Sequence, residues 1–99
     1  MRIDVTAKGT GVPDDVRALC EEKGSKLNRY FDRIQQITYR IEKHDDRRYE
    51  VECIVDVELH DDFVGKSEAE RISVAVDEST SKAQRQLVSF KEKLKSEHR

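Results

Sequence analysis

The sequence predicts an α+β fold: a two-layer sandwich of order βαβββα, in which two amphipathic helices cover one face of a four-stranded sheet. Two periodicities and one compositional fact carry this expectation. Residues 2–8, 36–43 and 49–59 alternate apolar and polar side chains, whereas 13–30 and 76–94 repeat apolar residues at three- and four-residue steps. Of the 99 residues, 40% are charged and 35% hydrophobic, which suits a thin sheet under helices better than a thick core. A chain of this length fits one domain, 1–99, and it contains no linker, repeat or low-complexity stretch.

On the first strand Ile3, Val5 and Ala7 face one way and Arg2, Asp4, Thr6 and Lys8 the other, until Gly9 and Gly11 break it. Pro13, Asp14 and Asp15 suit the first turn of a helix, where a missing N–H costs nothing and carboxylates meet the positive end of the dipole. That helix is expected to reach Tyr30, burying Val16, Leu19, Cys20, Leu27, Tyr30 and Phe31, with Lys23 at the edge of the stripe. Gly24 weakens it by about 1 kcal/mol relative to alanine but lets a neighbouring element approach closely.

The second strand turns Ile37, Tyr39 and Ile41 inward, and the polar run 44–48 is a hairpin connection. The third has Tyr49, Val51, Cys53, Val55, Val57 and Leu59 inward and Glu50, Glu52, Asp56 and Glu58 outward, with Ile54 the exception. The open face of the sheet is therefore expected to be acidic and to repel polyanions. After a second turn at His60-Asp61-Asp62, Phe63, Gly65 and Ser67 face the core on a fourth strand, and a right-handed crossover sets the first strand parallel to its neighbour. Ser67 and Glu70 have the spacing of a capping box and predict a helix start there, against the strand-like alternation of Ile72, Val74 and Val76; the helix is preferred.

Val76, Thr80, Ala83, Leu87, Phe90 and Leu94 form the buried stripe of this last helix. Lys82, Arg85, Gln86, Ser89 and Lys93 lie opposite, and Lys91 and Lys95 flank the stripe, from where they can snorkel to water. Residues 82–99 hold six Lys or Arg against two Glu, a surplus of four in a chain of net charge −2, so the remainder carries −6.

No apolar run approaches the roughly 18 residues a membrane span needs and no secretory leader opens the chain, so a cytoplasmic protein without a membrane partner is expected. Cys20 and Cys53 form no CxxC pair and are expected to be reduced, buried thiols. His44-Asp45-Asp46 and His60-Asp61-Asp62 could pass for a divalent-metal site, but the strand between them spans roughly 30 Å at about 3.3 Å per residue, so no metal is expected. His98 sits in the terminal segment. With no Ser/His/Asp grouping, P-loop or dinucleotide fingerprint, the expectation is a non-enzyme with no catalytic residues, no cofactor and no small-molecule substrate. A cationic helix against an acidic sheet gives a dipolar charge distribution that suits polyanion binding, and the pattern alone equally suits a Lys-rich terminal helix that only keeps the protein soluble. Every Tyr and Phe fits a core or core-edge position, so recognition is expected through phosphate and shape rather than base stacking.

Two runs are similar to those of a known family. K-L-x-x-Y-F-D-R-I, here Lys26 to Ile34, and K-x-x-R-Q-L-x-x-x-K-x-K-L-K, here Lys82 to Lys95, resemble the helical signatures of the ribosome hibernation-promoting factor family, which includes ribosome-associated inhibitor A. The resemblance extends over almost the whole chain. It implies two roughly parallel helices on one face of a mixed sheet, a fold similar to a double-stranded-RNA-binding domain. It also implies a non-catalytic factor of the stationary-phase stress response that silences idle ribosomes. Such a factor occupies the mRNA and tRNA channel of the small ribosomal subunit, competes with mRNA and tRNA, and is a monomer off the ribosome. The rRNA contacts implied are Lys82, Arg85, Gln86, Lys91, Lys93 and Lys95 on the second helix and Arg17, Lys23, Lys26 and Arg29 near the first. Residues 71–77 depart from the family pattern: an aromatic is missing and Arg71 stands where an acid is usual. Two rival classes stay open, a generic double-stranded-RNA-binding module and a protein-interaction regulatory domain that has lost RNA binding.

Overall fold

The computed structural model describes residues 1–97, with side chains to residue 96; His98 falls outside the described residues. Its elements are β1 (Arg2–Lys8), α1 (Asp14–Leu27), β2 (Ile34–Asp45), β3 (Arg48–Val57), β4 (Phe63–Ala69) and α2 (Ile72–Glu97), the order the periodicities predict. The sheet runs β1-β2-β3-β4, with β1 parallel to β2 and the other pairs antiparallel. Alternation decides which face is buried. Val5, Ile37, Tyr39, Ile41, Val51, Cys53, Val55, Val57 and Phe63 are all buried on the helix side together with Gly65 and Ser67. Both helices pack there, and they run in the same direction, since Lys23 meets Asp77 and Phe31 meets Phe90.

Tyr39 shows how the layers are tied. It is fully buried, and its hydroxyl lies 2.7 Å from Oγ1 of Thr80, whose own proton is directed at the Val76 carbonyl, also 2.7 Å away. Among the described residues no buried side-chain polar atom lacks a partner, as a buried polar group requires if it is not to cost stability. The two cysteines are free and buried, and burial pushes the Cys20 thiol up to about 12 and the Cys53 thiol up to about 11. Neither can be a thiolate nucleophile near neutral pH.

Two glycines set how closely the layers approach. A Cβ on Gly24 would come within 3.1 Å of Ile3 Cδ1 and 3.4 Å of the Tyr39 ring, so α1 lies low over β1 and β2. On Gly65 it would overlap the Ser79 carbonyl oxygen and reach 2.7 Å from the Ala83 nitrogen, so α2 rests its backbone directly on β4. At the outer edge of β4, Lys82 donates to the Lys66 carbonyl and Gln86 to the Val64 carbonyl, each at 2.7 Å. Four residues of helix rise about 6 Å and two residues of strand about 6.6 Å, so an i, i+4 pair on α2 can match an i, i+2 pair on an antiparallel strand.

Four local expectations are corrected. Helix α1 stops at Leu27 and a turn over 28–30 follows, which takes Tyr30 off the buried stripe and leaves it 37% exposed. The third strand ends at Val57, and Leu59, placed inward by alternation, sits in the following turn at φ 59° and is 95% exposed. Ser67 does not cap a helix: it pairs with Val51 inside β4 and its hydroxyl donates to Glu78 at 2.6 Å. A four-residue spacing is a local signal, and strand pairing from Phe63 to Ala69 overrides it. The hairpin connection is also shorter than the run 44–48, because β2 and β3 continue to Asp45 and Arg48, and Asp45 accepts the Arg47 N–H at 2.9 Å in the turn. The helix preference after residue 71 holds: Ile72 starts α2, Ala75, Val76, Ser79 and Thr80 are buried, and Val74 is not.

Candidate nucleic-acid interface

The apolar stripe of α2 puts Ala83 and Leu87 fully in the core and seats Phe90 and Leu94 against it. Lys82, Arg85, Gln86, Lys91, Lys93 and Lys95 are consequently exposed. With 26 residues α2 is about 39 Å long, whereas the seven residues of β4 span about 23 Å. Phe90 still packs on Phe63 at the start of β4, so the turns of α2 past Phe90 extend beyond the end of that strand, and the molecule is elongated, 51 × 21 × 18 Å.

Two hollows flank Phe90. The first, about 410 Å³, lies between the β3–β4 turn and α2 and is lined by His60, Phe63, Arg85, Gln86, Ser89, Phe90 and Lys93. The second, about 320 Å³, lies between the turn after α1 and the end of α2; it gathers Arg29, Arg33 and Lys91 around Tyr30, Phe31, Leu94, Asn28 and Asp32. A row of rings runs beneath them: Phe31 to Phe90 at 5.7 Å, Phe90 to Phe63 at 5.4 Å, and His60 stacked on Phe63 at 4.5 Å with 7° between the planes. Arg85, Lys91, Lys93, Lys95, Arg17 and Arg29 have no ion-pair partner among the described side chains. Lysines in the last turns of both helices, Lys26 and Lys95, also offset the negative ends of the helix dipoles there.

The structure thus gathers part of the expected set and disperses the rest. Arg85 and Lys93 share one hollow, and Arg29 and Lys91 share the other from two different elements. Lys23 is spent on Asp77 at 3.0 Å, and that carboxylate's hydrogen bond and charge hold its ammonium above the usual lysine value. Lys26 pairs with Glu22 one turn away at 3.4 Å, and Arg17 stands alone on α1. Lys82 and Gln86 each give a donor to the β4 edge, leaving Lys82 two more N–H groups and Gln86 its carbonyl oxygen. Sequence reasoning missed Arg33 and His60. The signal for Arg33 was its place in the Y-F-D-R run; for His60 the nearby Phe63 alone was no signal, because Phe90, Arg85 and Lys93 arrive from 25 or more residues downstream.

The open face of the sheet is organised otherwise. Arg40 faces Glu52, which faces Lys66, so one lateral row alternates in sign. The next row aligns Glu42, Glu50 and Glu68, which confirms an acidic band but confines it to one end of the face. Burial alone would raise the Glu50 pKa, yet His44 and the Lys66 ammonium, each 3.5 Å from its carboxylate, help hold it below the usual range. The ligand atoms of Glu42, His44 and Glu50 lie within 4.8 Å of one another, a grouping different from the two His-Asp-Asp turns. Lys66 already supplies positive charge at that point. A third hollow, about 630 Å³ beside the hairpin tip, is lined by four carboxylates against Arg47 and Arg48 and does not suit a polyanion.

No helix among the described residues is long and apolar enough to cross a membrane. A ribosome hibernation promoting factor of Azotobacter vinelandii is 33% identical over 95 residues, covering 94% of this chain and 85% of that protein. Two solved structures share the fold. A ribosomal subunit interface protein from Coxiella burnetii superposes with a TM-score of 0.78 at 23% identity, over 92% of this chain and 98% of that one. The N-terminal domain of Thermus thermophilus Protein Y gives 0.79 at 20% identity, over 91% and 99%. The resemblance read from the two helical signatures is upheld across residues 3–95, which match the model of the Sigma 54 modulation protein / S30EA ribosomal protein family, and the chain belongs to that family.

Proposed function

We propose that the protein is a non-catalytic, cytoplasmic ribosome hibernation factor that binds rRNA of the small subunit and occupies the channel used by mRNA and tRNA. The observation that carries this reading is the basic C-terminal half of α2, whose exposed cations lack carboxylate partners among the described side chains and converge with Arg29 and Arg33 towards one end of the molecule. Uncompensated cations facing RNA release condensed counterions on binding, which supplies affinity without base specificity. A rigid body 51 Å long held in this way acts by exclusion: mRNA and tRNA cannot enter the space it fills. Residues 1–99 then work as one ribosome-binding domain, monomeric off the ribosome and needing no cofactor.

The test is displacement. Purified small subunits are saturated with the protein, and mRNA and initiator tRNA are added; each is expected to compete with it, and the protein to inhibit initiation. Undiminished translation at full occupancy overturns the channel reading. Excess free RNA duplex should leave the complex intact, and release by duplex would point to a generic double-stranded-RNA module instead.

A further inference from the structure

We propose that the hollow between the β3–β4 turn and α2 receives a single unpaired nucleotide, its base packed against the His60–Phe63–Phe90 cluster and its flanking phosphates held by Arg85 and Lys93. The proposal rests on the RNA-binding reading and deepens it: phosphate contact alone needs no aromatic surface, and here one is built. His60 is an exposed residue in a turn, yet its ring is pinned, stacked 4.5 Å over Phe63 at 7° and tilted against Phe90 at 4.4 Å. Its Nδ1 lies 2.6 Å from the Asp61 carbonyl oxygen. That oxygen can only accept, so Nδ1 donates in this contact, which fixes the ring's orientation over Phe63.

The surroundings suit an anionic, flat occupant. Arg85 and Lys93 stand eight residues apart on α2, about 12 Å along the axis, and bracket the hollow. No carboxylate lines it, although Asp61 and Asp62 adjoin it in the turn. Gln86, whose amide nitrogen is committed to the Val64 carbonyl, keeps its oxygen, and Ser89 adds a hydroxyl, so polar groups of both kinds edge the aromatic floor. A volume of about 410 Å³ takes one base rather than a duplex, and paired bases would in any case keep their faces stacked inside the helix. The second hollow, with Asp32 beside its cations, has no comparable stacked floor.

The experiment uses the full chain and a short single-stranded RNA carrying one 2-aminopurine, whose fluorescence is quenched on stacking, beside co-sedimentation with small subunits. The wild type is expected to bind and quench the probe. His60→Ala should lose the quenching and bind about tenfold or more weakly, in line with about 1–3 kcal/mol per stacked base. His60→Tyr should restore both, and circular dichroism checks that each variant is folded. Arg85→Ala should weaken binding and its salt dependence but quench normally at saturation. Unchanged quenching in folded His60→Ala overturns the proposal. So does a wild type that binds subunits without quenching the probe, and so does a His60→Ala defect seen on subunits but not on the probe, which would assign the hollow to a ribosomal protein. If the wild type fails to bind subunits even at low salt, the RNA-binding reading falls first.

Discussion

The open face of the sheet and the basic C-terminal half of α2 are both densely charged, yet they answer opposite needs. On the sheet, cross-strand register sets Arg40 against Glu52 and Glu52 against Lys66, and His44 and Lys66 crowd the Glu50 carboxylate. On α2, the stripe that builds the core leaves Arg85, Lys91, Lys93 and Lys95 side by side with little acid between them. A net charge of −2 says nothing about this difference. What matters for a polyanion is whether each cation already has a local counter-charge, and register decides that on a sheet as wheel position decides it on a helix.

The comparison is broken most severely by unseating α2. Gly65→Ala places a methyl group where the Ser79 carbonyl and Ala83 nitrogen lie, and is expected to destabilise the fold by about 1–3 kcal/mol, lowering Tm measurably in a thermal melt. Next come matched charge reversals. Lys91→Glu with Lys93→Glu should weaken binding to small subunits on the order of 10- to 100-fold, while Lys8→Glu with Arg40→Glu, the same change in total charge, should alter it less than about threefold. Equal losses would show that only net charge counts. Smaller again, Lys82→Ala with Gln86→Ala should cost about 1 kcal/mol in urea denaturation by stripping two carbonyls of their partners.

The smallest effect is a pH dependence on the sheet face. Because the folded-state pKa of Glu50 is depressed, its contribution to stability is present above the ordinary value of 4.5 and is lost as pH falls through the lower, folded value. Urea midpoints of the wild type and Glu50→Gln should differ at pH 6 and converge once the pH has fallen below the depressed folded-state value. A constant gap would assign the effect to packing instead.

Most of the architecture was legible because amphipathic periods are local: period two gave β1, β2 and β3, and the buried stripe of α2 was read residue by residue. The errors fall where the chain leaves a period. Tyr30 and Leu59 each sit just past the end of an element, where continuing the pattern assigns the wrong face. Ser67 followed a true local rule that strand pairing outweighed. The cationic face was legible as a wheel position, but its partners were not: nothing near Lys23 in sequence announces Asp77, and nothing near Lys82 announces the Lys66 carbonyl. The aromatic row was least visible, since it is assembled from the loop after α1, the β3–β4 turn and α2.

The two hydrogen bonds from α2 to the rim of β4 also bear on how the protein behaves in a crowded solution. An edge strand with vacant carbonyls is a template for another copy to add itself, the first step of sheet-to-sheet aggregation. Lys82 and Gln86 blunt that template, and in the proposed reading the same two side chains also reach for rRNA. Substitutions chosen to tighten or loosen the grip on RNA at these positions will therefore change colloidal behaviour as well, and the two traits cannot drift independently at residues 82 and 86.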